Sequence, residues 1–323
     1  MNNFSLTFIC CLVIILCTDV LTAQNLEQFK SHTTILSSDK MEGRGTGSKG
    51  IRMSGDYISQ QFDKIGLQPL KDGTYKQYFP YPDQKEPEAN VIGIISASEP
   101  TEKSLVFTAH YDGYGIRKTE GTQDSIYNGA RDNAVGVAAL IELARMYKSE
   151  ELPPVNLVFI ATAGEEFGQH GAEYYLQQPV FKTQEIIFCL NIDGFNVSGK
   201  RSDFFMMPRQ GVDFVDEIIL TAQRSGWMYD PPEWVDGMNT NFDSASFLKR
   251  GIPAVTLWTG DRLLGGEKAP KLNFGNIHSP FDEINEDWNW SGVEDHLKLY
   301  KRIGDYFMNT NKKVLVKNPE IFQ

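Results

Sequence analysis

Leu105-Val-Phe-Thr-Ala-His110-Tyr-Asp112 decides the reading of the fold: an unbroken apolar or β-branched run that ends in a histidine and an aspartate. The plan returns twice more. Asn156 to Thr162 runs into Ala163-Gly-Glu165-Glu166, and Ile186 to Ile192 runs into Asp193-Gly194. Runs of this length without polar alternation are strands buried on both faces, and Asn90 to Ile95 and Ala254 to Trp258 extend the series. Between them lie helical patterns, Ala134 to Tyr147 and Val212 to Arg224, and an earlier amphipathic one carrying Ile51, Tyr57, Ile58, Phe62 and Ile65. Strands alternating with helices predict an α/β fold, a three-layer αβα sandwich around a mostly parallel sheet. Ligands of such sheets bind outside the carboxyl ends of the strands, which is where the three runs deliver His, Glu and Asp.

The 323 residues are 41% hydrophobic and 23% charged, which excludes collagen-like, low-complexity and disordered classes. A formal charge of -11 repels a phosphate backbone, so nucleic acid is excluded as a partner. Phe4 to Cys17 is mostly apolar, too short to span a bilayer and suited to the core of a signal peptide. Residues 1–23 are therefore expected to be removed after Ala23, leaving 24–323 as a single domain, secreted or periplasmic and without stable membrane insertion. Cys10, Cys11 and Cys17 leave with that segment. Cys189, within an apolar run, reads as a buried small hydrophobe, so the core and not a disulfide holds the fold. The sequence fixes no oligomeric state.

Five residues past the strands share one chemistry. His110, Glu166 and Asp193 follow the three runs, Asp132 precedes a helix in Gly129-Ala-Arg-Asp132-Asn133, and His278 follows the last strand in Ile277-His278-Ser-Pro-Phe-Asp282. Two imidazoles and three carboxylates suit Zn²⁺ or a similar divalent ion, and one ion holding all five would have no open position for catalysis. Two ions bridged by one carboxylate, roughly 3.5 to 4 Å apart, keep the site net positive. Asp112, two residues beyond His110 on an extended segment, is placed to take the other imidazole N–H and fix the ring. Glu165, beside a ligand but pointing elsewhere, is placed as general base.

At these residues the sequence resembles the M28 family of co-catalytic zinc peptidases, the group containing the bacterial leucine-type aminopeptidases. The likeness runs through Met41-Glu-Gly-Arg-Gly-Thr-Gly-Ser48, His110-Tyr-Asp112, Asn128-Gly-Ala-Arg-Asp132-Asn133, Gly164-Glu165-Glu166-Phe-Gly168, Asp193, Gly251-Ile-Pro-Ala254, and His278 with Asp282. It implies a zinc-peptidase and phosphorylase-like fold. It also implies that Asp132 bridges two Zn²⁺ ions, with Glu166 and His278 completing one site and His110 and Asp193 the other. Peptides are then the substrates, and Glu165 and Asp112 fall on the family's base and orienting carboxylate. The chain departs from many relatives at Gly113, where they carry His, and at Phe242-Asp243-Ser244, where they carry Ser-Asp-His.

Two other functions stay open: a glutaminyl-peptide cyclotransferase, which shares fold and ligand order but uses one zinc, and a non-catalytic binding module. The segment Gly226 to Asn241, with Trp227, Tyr229 and Trp234, reads as a pocket-lining loop. His170 is given no ligand role, and His32 and His296 read as surface or boundary residues. H-E-x-x-H, P-loop and G-x-S-x-G motifs are absent.

Overall fold

The computed structural model describes residues 25–264, 267 and 276–323, so the apolar leader and its cleavage site lie outside the described residues. In chain order the strands are β1 (Lys76–Phe79), β2 (Glu88–Ile95), β3 (Ser104–His110), β4 (Gly115–Ile116), β5 (Ile126–Tyr127), β6 (Asn156–Thr162), β7 (Ile186–Asn191), β8 (Asp203–Met207), β9 (Met228–Tyr229) and β10 (Ala254–Thr259). The helices are α1 (described at 25–36), α2 (Lys49–Ile65), α3 (Val135–Lys148), α4 (His170–Gln177), α5 (Val215–Gln223), α6 (Asp243–Leu248) and α7 (Val293–Asn309).

Eight strands form one sheet in the order β1-β2-β6-β3-β7-β10-β8-β9, and β4 and β5 make a separate hairpin. β6, β3, β7 and β10 run parallel in its centre, and β2 and β8 flank them antiparallel. β2, β3 and β6 are buried along their whole length, as continuous apolar runs require. Helices α2, α3, α7 and α5 neighbour one another on one face, and α4 packs with α6 on the other. The result is the expected three-layer α/β arrangement. A large apolar core runs through it from Phe29 to Phe322, and a second, small cluster gathers Phe205, Met207, Val235 and Phe242.

The sequence reading missed the outer strands for physical reasons. β1 is only partly buried and β8 spans five residues, so neither shows the length or continuity of a central strand. The glycine-rich Met41–Gly50 stretch overlaps a tight turn at Asp39–Arg44 and the first residues of α2, where the Ser48 side chain caps the Ile51 amide at 3.1 Å. Gly50 is required there, since a Cβ would stand 1.8 Å from the Met41 carbonyl oxygen.

His32 and His296 are not surface residues; they are 5% and 1% exposed. His32 bonds Tyr57 Oη at 2.7 Å and faces Glu142 at 3.2 Å, so a buried polar cluster joins α1, α2 and α3. His296 lies on the buried side of α7 with Val293, Leu297 and Tyr300, stacked on Phe195 at 4.1 Å. Cys189 is buried, as read, and burial raises its thiol pKa.

Candidate metal centre

Parallel register explains why distant residues meet. His110, the last residue of β3, sits opposite Thr162 at the end of β6, and Thr108 sits opposite Asn191 at the end of β7. The segments leaving β6 and β7 therefore carry Glu165, Glu166 and Asp193 over the rim that holds His110. Asp132 is supplied by the turn before α3 and His278 by the long connection after β10.

Asp132 occupies the middle of the group. Its Oδ1 lies 3.1 Å from His110 Nε2, which also stands 3.6 Å from Asp193 Oδ2. Its Oδ2 lies 2.9 Å from His278 Nε2, which stands 3.4 Å from Glu166 Oε2. Two sets of three donors result, His110–Asp132–Asp193 and Asp132–Glu166–His278, each with ligand atoms within 4.8 Å of one another. Despite the short distances, neither ring nitrogen of His110 makes a hydrogen bond of acceptable geometry, nor does Glu166 Oε1. Buried polar atoms left this way are costly unless another group satisfies them. Donors about 2.0 to 2.1 Å from a tetrahedral zinc lie roughly 3.3 Å apart, which is the spacing found here, so the residues fit the ion.

The surroundings fix these side chains through the main chain. Asp112 Oδ1 stands 3.7 Å from His110 Nδ1, beyond hydrogen-bond length, so the expected N–H bond to the ring is absent. Its carboxylate instead accepts the amides of Glu165 at 3.1 Å and Glu166 at 3.4 Å, pinning the segment after β6. Asp282 accepts the amides of Arg131 and Asp132 at 2.9 and 3.0 Å. Asn133 accepts the amides of Gly136 and Gly194 and donates to the Ile192 carbonyl, tying the Asp132 turn to the Asp193 loop. Gly136 cannot carry a side chain, because a Cβ would fall 2.0 Å from Asn133 Oδ1. Arg44, fully buried, donates to the carbonyls of Leu36, Tyr111, Asn128 and Gly129 at 2.6 to 2.9 Å. Sequence reasoning assigned no role to Asn133 or Arg44; their place in the quoted motifs is the only signal, since their partners are backbone groups.

Residues 90–302 match peptidase family M28. The chain belongs to this family. It is 28% identical over 209 residues to a probable zinc metalloprotease of Leptosphaeria maculans, covering 62% of this chain and 48% of that one. The chain spans about half the length of the curated relatives it matches first. Among solved structures, a zinc aminopeptidase from Bacillus subtilis superimposes with a TM-score of 0.64 at 15% identity, covering 87% of this chain and 94% of that one. A glutaminyl cyclase from Bacteroides thetaiotaomicron gives 0.62 at 16%, covering 88% and 98%. At such identities these two share the fold.

Electrostatics in this M28 chain show what the donor groups lack. Burial, with Asp132 next, pushes Glu166 up to about 9, and burial raises Glu165 and Asp193 as well. Burial opposes ionisation of Asp132 too, yet the imidazoles of His110 and His278 outweigh it and lower its pKa. Crowded acids in a dry site must take up protons or a cation. A cavity of about 360 Å³ opens beside them, lined by Glu165, Asp132, Glu166, Asp193 and His278 and walled by Phe242 and Trp258. His278, with 48% of its side chain exposed, faces it, and Tyr114 lies 4.6 Å from its ring. Of the segment 226–241, Met238, Thr240 and Asn241 line the cavity, whereas Trp227 is buried in the core. His170 is outside both donor sets and packs edge-on to Tyr81. No helix among the described residues is long and apolar enough to cross a membrane.

Proposed function

We propose that this M28 chain is an exported zinc aminopeptidase that uses two ions to remove N-terminal residues from peptides. The observation that carries the reading is the placement of one carboxylate, Asp132, between two histidine–carboxylate sets. His110, Asp132 and Asp193 would hold one ion, and Asp132, Glu166 and His278 the other. Bound zinc supplies Lewis acidity toward the substrate carbonyl and makes water acidic enough to attack at neutral pH. Export is supported by the apolar leader and by a remaining chain whose one thiol, Cys189, is buried.

The chain's own groups do the rest. Glu165 lines the cavity in a setting that favours the protonated acid, so its carboxylate is poised to take a proton from the attacking water and return it to the leaving amine nitrogen. Asp112 holds the Glu165 and Glu166 amides, and through them the base and its neighbouring donor. Asp282 holds the Asp132 turn from the other side.

Glu165→Gln tests the assignment: it should retain zinc by elemental analysis while lowering turnover by about 10² or more. Near-normal activity would overturn the base. The cyclase-like fold keeps a second reading in play. With an N-terminal Gln peptide, the aminopeptidase releases free glutamine, and a cyclotransferase releases ammonia and leaves a cyclised terminus.

A further inference from the structure

Arg131 is the one arginine among the described residues that line the cavity beside Asp132, Glu166 and His278, and its guanidinium makes no hydrogen bond or ion pair with any of them. It is half-buried, with its charged carbon 5.5 Å from the centre of the Trp288 ring. The acid whose charge acts on it is Asp282, whose carboxylate oxygens accept the amides of Arg131 and Asp132 and make no hydrogen bond to the guanidinium. Among the arginines, Arg201 also has two buried guanidinium nitrogens without a hydrogen-bond partner among the described residues, but it lies away from this cavity. Arg44 has four carbonyl acceptors, and Arg209, Arg250 and Arg262 each pair with a carboxylate. A guanidinium kept half out of water over an aromatic face, with no hydrogen-bond acceptor among the described residues, is prepared for a planar anion.

We propose that Arg131 binds a substrate carboxylate, so that the preferred substrates are short peptides carrying a negative charge on the leaving side of the scissile bond. The position supports this. Arg131 directly precedes Asp132, and the cavity it lines is the one holding Glu166 and His278. A carboxylate one or two residues past the reacting carbonyl lies within about 7 Å of it along an extended chain, which an arginine side chain at this position spans. Two sources offer that group: the C-terminal carboxylate of a dipeptide or tripeptide, and an acidic side chain just beyond the bond. The inference rests on the peptidase reading for its substrate and on the cavity for its chemistry.

The test uses zinc-loaded protein and two matched pairs, Leu-Leu against Leu-Leu amide, and Leu-Glu amide against Leu-Gln amide. At least one pair should favour the charged member by about tenfold or more in kcat/KM, the size expected of a charge-assisted bidentate contact. The pair that does so identifies the source. Arg131→Gln should bring that ratio close to one, and Arg131→Lys, with charge but no planar fork, should keep part of it. Calorimetric binding of the same four peptides to Glu165→Gln, with and without Arg131→Gln, reads the contact without turnover. Ratios near one in both pairs, or a preference that survives Arg131→Gln, would overturn the proposal. Arg131-dependent binding of the charged peptide without hydrolysis of any peptide would sustain the carboxylate site and overturn the peptidase reading instead.

Discussion

Replacing His296 with Asn removes a buried titrating ring while leaving an acceptor for the Asn196 amide, which His296 Nδ1 now holds at 3.3 Å. Burial pushes the imidazole down to about 3. An unfolded histidine titrates near 6.5, so the folded state binds fewer protons between those values and stability must fall as the solution is acidified. The penalty is below about 0.5 kcal/mol above pH 6.5, reaches about 2 kcal/mol at pH 5 and about 4 kcal/mol at pH 3, at 1.36 kcal/mol per unit. Urea unfolding of both proteins, zinc-loaded, at pH 7, 6 and 5 measures it. Other groups titrate alike in the two, so the difference between them isolates this ring. The Asn variant should gain about 2 kcal/mol on the parent between pH 7 and 5, whatever its stability at pH 7. Parallel pH curves would refute the argument.

Asp282→Asn keeps the volume but replaces a carboxylate that accepts two amides, and should weaken zinc binding about 10- to 100-fold in competition with a chromophoric chelator. Unchanged affinity would mean that the Asp132 turn holds its shape unaided. Arg44→Met strands four buried carbonyl contacts and should destabilise the chain by at least about 4 kcal/mol in urea. A loss below about 1 kcal/mol would show that those carbonyls find other partners.

What the sequence made legible follows from which interactions leave a pattern in it. β3, β6 and β7 could be read because strands buried on both faces are apolar without interruption. The acids and histidine just beyond them could be read because such residues are out of place after a core strand. Their convergence needs register, and the pairing of His110 with Thr162 is not written in either run. Arg44 and Asn133 left no chemical signature, since they bond main-chain carbonyls and amides that every sequence possesses. His32 and His296 were misplaced because an amphipathic pattern assigns polar residues to water; Glu142 and Tyr57 in one case, and Phe195 and the Asn196 amide in the other, receive them inside. Asp112 was read as an orienter of the His110 ring because of its spacing, and main-chain amides such as those of Glu165 and Glu166, which its oxygens accept, leave no mark in a sequence.

The strand order sets how this molecule can breathe. Two strands, β1 and β2, lie outside β6, and three, β10, β8 and β9, lie outside β7. The strands that carry or lead to His110, Glu166 and Asp193 are therefore shielded from both margins, where local opening of a sheet begins. His278 hangs on a loop with half its ring in solvent. Three donors thus sit on or just past interior strands, whereas His278 is the exposed member of its donor set and so the one that solvent reaches first.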